Sequence, residues 1–130
     1  MDFYLNTENS YNRLLEEFHK YKSLVVAFDF DNTVFDYHKK GLDFSDIIQL
    51  LRNLKSIGCY LIIFTATDDE KFVTEYCQSK KIPFDVINKN PPFHKSNSPK
   101  IYYNALLDDR AGLKETYDLL NKLYLSTVKE

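Results

Sequence analysis

Length, composition and charge indicate a chain that folds as one domain. Its 130 residues are 44% hydrophobic and 15% aromatic, which is enough to build one hydrophobic core. With 28% charged residues, 3 glycines and 4 prolines, the composition excludes a disordered or repetitive chain. The net charge of −2 gives no general attraction to nucleic acid or acidic membranes. We therefore predict a single domain over residues 1–130.

The first half of the chain alternates between helix and strand patterns. Apolar residues at helical spacing predict a helix over residues 7–21. Residues 23–31 are a short apolar run that ends in two acids, which predicts a strand buried on both faces. After an irregular stretch, Asp43 or Ser45 is expected to cap a helix that stops at Gly58.

The second half continues the alternation. Further strands are predicted at residues 59–65, 83–88 and 101–109, and further helices at 67–80 and 113–127. Residues 89–99 contain Asn-Pro-Pro and Asn-Ser-Pro and are predicted to be a loop. This order predicts an α/β fold with a mainly parallel, Rossmann-like sheet. Helices are expected on both faces, which makes a three-layer sandwich.

Cysteine use and the N-terminal residues favour a cytoplasmic protein. Cys59 and Cys77 lie in ordinary strand and helix patterns and are expected to be buried free thiols. The chain does not start with a basic stretch followed by an apolar run. Its apolar runs at residues 24–28 and 60–64 are too short to cross a bilayer, so no membrane partner is predicted.

Polar side chains stand where three of the predicted strands end. Asp29 and Asp31 end one strand, Thr65 ends the next, and Asp108 with Asp109 ends the last. The carboxyl ends of parallel strands face one crevice, so we expect these side chains to share a site. Clustered carboxylates need a cation, and the hard ion Mg²⁺ fits carboxylate, water and phosphate ligands. No Cys or His pair near these acids offers soft-metal ligands.

Such a site is suited to phosphoryl transfer. One carboxylate can attack phosphorus to form an acyl phosphate, and a second can protonate the leaving alkoxide and then activate water. The Thr65 hydroxyl and nearby N–H groups can hold phosphoryl oxygens, and a lysine can balance the charge. Asp109 or Asp68 alone would be interpreted as a capping residue. The run Phe-Asp-Phe-Asp-Asn-Thr, together with a second acid pair, favours a site instead.

At these residues the chain resembles the haloacid dehalogenase superfamily of phosphatases. Residues 25–33, an apolar strand followed by Asp-x-Asp-x-Thr, match the first motif of that family. Residues 62–65 and 105–109 are similar to its second and fourth motifs. The resemblance runs from about residue 24 to 123 and implies the fold of that family without a cap domain. The chain is also similar to small phosphatase-like hydrolases of bacteria and phages.

The resemblance implies a role for each acid. Asp29 is expected to be the nucleophile and a metal ligand. Asp31 is expected to be the general acid/base and to bind the metal through its backbone carbonyl. Thr65 would bind the phosphoryl group, Asp108 would ligate Mg²⁺, and Asp109 would contact a metal-bound water. The expected activity is hydrolysis of a phosphomonoester.

The resemblance also implies residues that contact the substrate. Asn32, Thr33, Ala66 and Arg110 are the candidates, with Thr33 also ordering the loop after the nucleophile. Arg110 would contact a second anionic group or pair with an acid. The flap that contains His38 is expected to form part of the rim, with the histidine itself as a surface residue.

The lysine of the site is not specified by its motif. Lys100 is the first choice, Lys95 the second and Lys89 the third. The segments where the family inserts a cap are short, and capless members act on large substrates or close the site with a neighbouring subunit. The substrate is therefore left as a phosphosugar, a nucleotide or a nucleic-acid end, with a homo-oligomer as one way to close the site.

Two other functions use the same residues. The first is a Mg²⁺- and phosphate-binding or regulatory module with weak catalysis. The presence of both Asp29 and Asp31 argues against this module. The second is a receiver-like domain that is phosphorylated on aspartate, which the Asp-x-Asp-x-Thr pattern fits less well. Turnover of a small phosphodonor distinguishes an enzyme from either.

Overall fold

A computed structural model describes residues 2–129 of the protein. The helices are α1 (Thr7–Tyr21), α2 (Ser45–Ser56), α3 (Glu70–Lys80) and α4 (Leu113–Val128), preceded by a short 3-10 helix at Phe3–Leu5. The strands are β1 (Val25–Asp29), β2 (Tyr60–Phe64), β3 (Val86–Ile87) and β4 (Ala105–Leu107). Within this part of the chain, no helix is long and apolar enough to cross a bilayer.

The four strands form one parallel sheet in the order β3-β2-β1-β4. Asp29, at the end of β1, pairs with Phe64 at the end of β2. On the other side of β1, Phe28 pairs with Leu107, the last residue of β4. The predicted α/β class and parallel sheet are confirmed, and the carboxyl ends of β1, β2 and β4 lie side by side.

One face of the sheet carries the helices. Its strand side chains join those of all four helices in a single core. The largest fully buried members of this core are Leu24, Phe28, Phe30, Leu50, Leu51, Leu54, Leu61, Ile63, Leu107, Leu120 and Leu123. Paired residues of parallel strands point the same way, so each strand sends alternate residues into this core. Burial of these side chains stabilises the fold by about 1.5–3 kcal/mol each.

The opposite face is covered by residues 88–104, which we call the irregular segment, instead of by a helix. Val25, Ala27 and Ile62 pack there against Ile101, Tyr102 and Tyr103, as well as neighbouring aromatic residues. Phe93 also lies against Tyr60, with 5.4 Å between ring centres. The predicted three-layer, Rossmann-like sandwich is confirmed, and its layer on this face is this segment instead of the expected helix. The reason is local, because three prolines between residues 91 and 99 prevent a continuous helix.

The boundaries of the elements follow from local chemistry. The Asn6 side chain accepts hydrogen bonds from the N–H groups of Glu8 and Asn9, so Asn6 caps α1. The N-cap residue of α2 is Phe44, without a side-chain bond, whereas Asp43 accepts from the N–H group of Ser45. The prediction that Asp43 or Ser45 caps α2 is therefore wrong.

Candidate active site

The carboxyl end of the sheet brings three predicted acids together. Asp29 is the last residue of β1, and Asp108 and Asp109 directly follow β4 on the neighbouring strand. One carboxylate oxygen from each of the three lies within 4.8 Å of the other two. Within residues 2–129, none of them forms an ion pair with a lysine or arginine. The cluster is therefore a concentration of negative charge without a compensating cation.

This charge changes the protonation of Asp29. Burial, a side-chain hydrogen bond with Asp109 and the charges of Asp108 and Asp109 raise the pKa of Asp29 to about 7, against the single N–H group of Phe30 that lowers it. Two carboxyl groups can share a hydrogen bond only when one holds a proton. A cation bound here would replace that proton, so the charge balance of the cluster fits a divalent ion.

Asp31 lies in the turn that follows β1. The N–H group of Asn32 donates to the carbonyl of Phe35 at 2.8 Å, and Asn32 has a left-handed backbone with φ of 61°. Asparagine tolerates this conformation better than most residues, which explains its use here. Burial and the charge of Asp109 raise the pKa of Asp31, while nearby His38 lowers it. The sequence interpretation of His38 as a surface residue missed this proximity to Asp31.

Thr33 connects the two acidic segments from inside the protein. It is fully buried, and its hydroxyl donates to Asp109 Oδ1 at 3.3 Å. The Thr33 hydroxyl oxygen also accepts from the backbone N–H group of Asp109 at 3.2 Å. The predicted contact between Thr33 and substrate is therefore wrong. Its predicted role in ordering the loop agrees with these contacts, since they join the turn after β1 to the acids after β4.

Asn88 positions Thr65 at the end of β2. Its Oδ1 accepts from the N–H group of Thr65 at 3.0 Å, and its Nδ2 donates to the Thr65 carbonyl at 2.8 Å. The Thr65 hydroxyl accepts from the N–H group of Thr67 at 3.2 Å, which leaves its proton free to donate. Sequence reasoning missed Asn88. Its position directly after β3 was the available signal, because all strand ends meet at this edge.

An open cavity of about 540 Å³ connects Asp29 to these residues, and we call it the Asp29 cavity. Thr65, Ala66 and Asn88 line one part of it, and Lys100 and Tyr103 line another. Lys100 is the only basic residue that lines it in the described part of the chain. The geometry therefore favours Lys100.

The other candidates for the lysine and for substrate binding lie elsewhere. Lys89 and Lys95 do not line the Asp29 cavity. Arg110 is exposed and does not line the Asp29 cavity, and its backbone N–H group donates to Asp108 Oδ1 at 2.9 Å, which orients that acid. Asn32 does not line the cavity either, and its buried Oδ1 has no hydrogen-bond partner among residues 2–129.

The flap over residues 34–42 is held by aromatic packing and by one acid. Phe35 stacks on Phe30 with 5.1 Å between ring centres, and Tyr76 of α3 lies edge-on to Phe35 at 4.9 Å. The Asp36 carboxylate accepts from the N–H groups of residues 40, 41 and 42. The flap is therefore an ordered turn next to Asp31.

Comparison with known proteins informs the fold and leaves the chemistry open. No family model matches the chain, and no curated protein matches it. A solved structure of a conserved protein from Bacteroides thetaiotaomicron is similar, with a TM-score of 0.61 and 24% sequence identity. The match covers 77% of this chain and 91% of that protein. At this identity the likeness establishes a shared fold alone.

Proposed function

We propose that the protein is a Mg²⁺-dependent phosphomonoester hydrolase of the haloacid dehalogenase type, with Asp29 as nucleophile. The observation that carries this proposal is the cluster of Asp29, Asp108 and Asp109 beside a cavity that also presents Thr65 and Lys100. Oxygen ligands of this kind suit a hard divalent ion. The predicted cytoplasmic location and phosphorylated substrate, a phosphosugar, a nucleotide or a nucleic-acid end, belong to the same proposal.

The ion would be held by the carboxylates of Asp29 and Asp108, with the Asp31 carbonyl and Asp109 beside them. When bound, Mg²⁺ would neutralise the carboxylates and withdraw charge from the phosphoryl oxygens. The pKa of Asp29, about 7 in the protein alone, would then fall, because a nearby positive charge favours the ionised carboxylate. Asp29 would thus be available as a nucleophile at neutral pH.

The residues then divide the reaction into two steps. In the first, an Asp29 oxygen attacks phosphorus, the bond to the leaving group breaks, and Asp31 gives its proton to the leaving oxygen. The raised pKa of Asp31 suits it to carry that proton. In the second step, water loses a proton to Asp31 and attacks the same phosphorus, which releases phosphate and regenerates Asp29.

Thr65 and Lys100 would hold the phosphoryl oxygens during both steps. The Thr65 hydroxyl has a proton to donate, and its backbone is fixed at both ends by Asn88. Lys100 lines the same cavity and would provide a positive charge to balance the negative charge that develops on the phosphoryl oxygens. Removal of one such charged donor typically costs about 10²–10³ in kcat.

The test is phosphate release from p-nitrophenyl phosphate and a panel of phosphosugars, nucleotides and phosphorylated oligonucleotides. We expect turnover with Mg²⁺, none with EDTA, and none for Asp29→Asn. Binding of Mg²⁺ by a folded protein that turns over no substrate would refute the enzyme and favour the binding module.

A matched pair of variants tests the choice of lysine. Lys100→Gln is expected to lower kcat by about 10²–10³. Lys95→Gln removes an exposed lysine from the same irregular segment and is expected to leave kcat unchanged. Equal effects of the two substitutions would contradict the assignment of Lys100.

A further inference from the structure

A second and larger cavity lies beside β4, the edge strand of the sheet. Its volume is about 800 Å³. Helix α1 contributes Ser10 and Arg13 to its lining, and the irregular segment contributes His94, Ser96 and Ser98. We call it the edge cavity. The proposed hydrolysis at Asp29 assigns it no role.

The polar groups of the edge cavity are mainly donors. Ser96 Oγ accepts from the N–H group of Ser98 at 3.1 Å, and Ser98 Oγ accepts from the N–H group of Lys100 at 3.2 Å. Both hydroxyl protons are left to donate to another group. No aspartate or glutamate of the described residues lines this cavity, although the chain has 19 acidic residues. Glu17 lies outside this lining, although its Oε2 accepts from Nδ2 of the lining residue Asn104 at 2.9 Å. A lining that is rich in donors and has no carboxylate of its own favours an anion.

Two side chains that line the edge cavity, Arg13 and His94, pack on aromatic rings. The Arg13 guanidinium lies over the Tyr4 ring, 4.9 Å from its centre, and its Nε lies 3.6 Å from Glu17 Oε1. Within residues 2–129 the two terminal nitrogens of Arg13 form no hydrogen bond, so both can donate hydrogen bonds to an oxyanion. His94 is stacked on Tyr102 with 4.5 Å between ring centres, which orients the imidazole.

The edge cavity adjoins the Asp29 cavity. Lys100, Ile101 and Tyr103 line both. In the Asp29 cavity, Lys100 is the sole basic residue among those described. The reacting phosphoryl group would already contact that lysine. A second anionic group of the same ligand can therefore contact a further cation, Arg13, and the hydroxyl groups of Ser96 and Ser98 in the adjoining edge cavity.

We propose that the edge cavity binds a second anionic group of a phosphomonoester whose reacting phosphoryl group lies at Asp29. This inference rests on the proposed function and names its substrate class. A phosphorylated sugar acid, with a carboxylate, and a nucleoside bisphosphate, with a second phosphate, share this chemistry.

Binding to the Asp29→Asn variant tests the inference without turnover. Calorimetry in Mg²⁺ compares 6-phosphogluconate with glucose 6-phosphate, and thymidine 3′,5′-bisphosphate with thymidine 5′-monophosphate. We expect the member with two anionic groups to bind about tenfold more tightly in at least one pair, because a charge-assisted contact contributes about that much. The pair that shows the preference identifies the carboxylate or the phosphate as the second group.

Arg13→Gln, in the same background, is expected to remove most of that preference. Ser96→Ala is expected to reduce the preference about threefold. Lys20→Gln removes a cation from the same helix outside the cavity and is expected to keep the preference intact. Circular dichroism is used to check that each variant is folded. If Arg13→Gln does not fold, Ser96→Ala tests the inference in its place. No preference in either pair, or equal weakening of both members by Arg13→Gln and Ser96→Ala, would overturn the inference.

Phosphate release by the wild-type protein separates this inference from the proposed function. If p-nitrophenyl phosphate is hydrolysed but neither pair shows a preference, the hydrolase stands and the edge cavity is not a subsite. If no phosphate is released but the Arg13-dependent preference is present, the edge cavity binds the second anion and the proposed hydrolysis is wrong.

Discussion

Replacement of Asp29 by asparagine should stabilise the metal-free protein at high pH. Burial, the hydrogen bond with Asp109 and the charges of Asp108 and Asp109 raise the pKa of Asp29 from 3.8 to about 7. The folded protein then holds a proton that the unfolded chain releases, so stability falls as pH rises from about 4 to 7 and stays low above. A change of this size corresponds to about 4 kcal/mol for a fully buried group.

The partial exposure of Asp29 reduces that magnitude. Solvent screening brings it to about 2 kcal/mol, or roughly 8 °C in Tm for a domain of this size. Asp29→Asn carries no titrating group at this position, so it should exceed the wild type by about 2 kcal/mol at pH 8 and by about half of that or less at pH 5.

Urea unfolding followed by circular dichroism in EDTA at pH 5 and pH 8 measures both values. The control is Asp68→Asn, which neutralises an exposed carboxylate outside the cluster and should give no pH-dependent gain. A variant that is less stable than the wild type at pH 8, or a difference that does not grow with pH, would refute the reasoning. Addition of Mg²⁺ should stabilise the wild type more than Asp29→Asn, since the variant has one fewer anionic ligand.

Three other substitutions test the supports of the site and the core. Thr33→Val removes both bonds to Asp109 and should cost about 1–3 kcal/mol in urea unfolding, together with a fall in kcat; unchanged kcat would show that the loop is held by other contacts. Asn88→Gly and Asn88→Ala both release Thr65 and should raise KM for p-nitrophenyl phosphate. Alanine should be the less stable of the two because φ at this position is 52°; equal stability would contradict that backbone argument. Leu54→Ala empties a fully buried position and should cost about 3 kcal/mol in urea without a change in KM.

Sequence patterns predicted the elements where the periodicity is strong. The helix predicted over residues 7–21 is observed at Thr7–Tyr21, and the two central strands lie within their predicted ranges. The outer strands are much shorter than predicted, with two residues in β3 and three in β4. A short apolar run in the sequence indicates which residues are buried, whereas the length of a strand depends on pairing with the neighbouring strand. The bounds of edge strands are therefore the hardest to predict.

The acids of the site could be predicted because they follow strands, and parallel strands end at one edge. Asn88 follows the same rule, but its role is a pair of hydrogen bonds to the Thr65 backbone, which no spacing encodes. The burial of Thr33 also depends on tertiary contacts with Asp109. The choice of Lys100 among three lysines required the path of the irregular segment, which the sequence describes only as a loop.

The missing helix between β3 and β4 shapes what the site can bind. A helix on that face would turn part of its surface outward, whereas the irregular segment lays Lys100 and Tyr103 against the strand ends and continues beside β4. The same residues therefore form walls of both cavities. The prolines that prevent helix formation in this segment thus leave a long and open surface next to Asp29, along which both cavities lie.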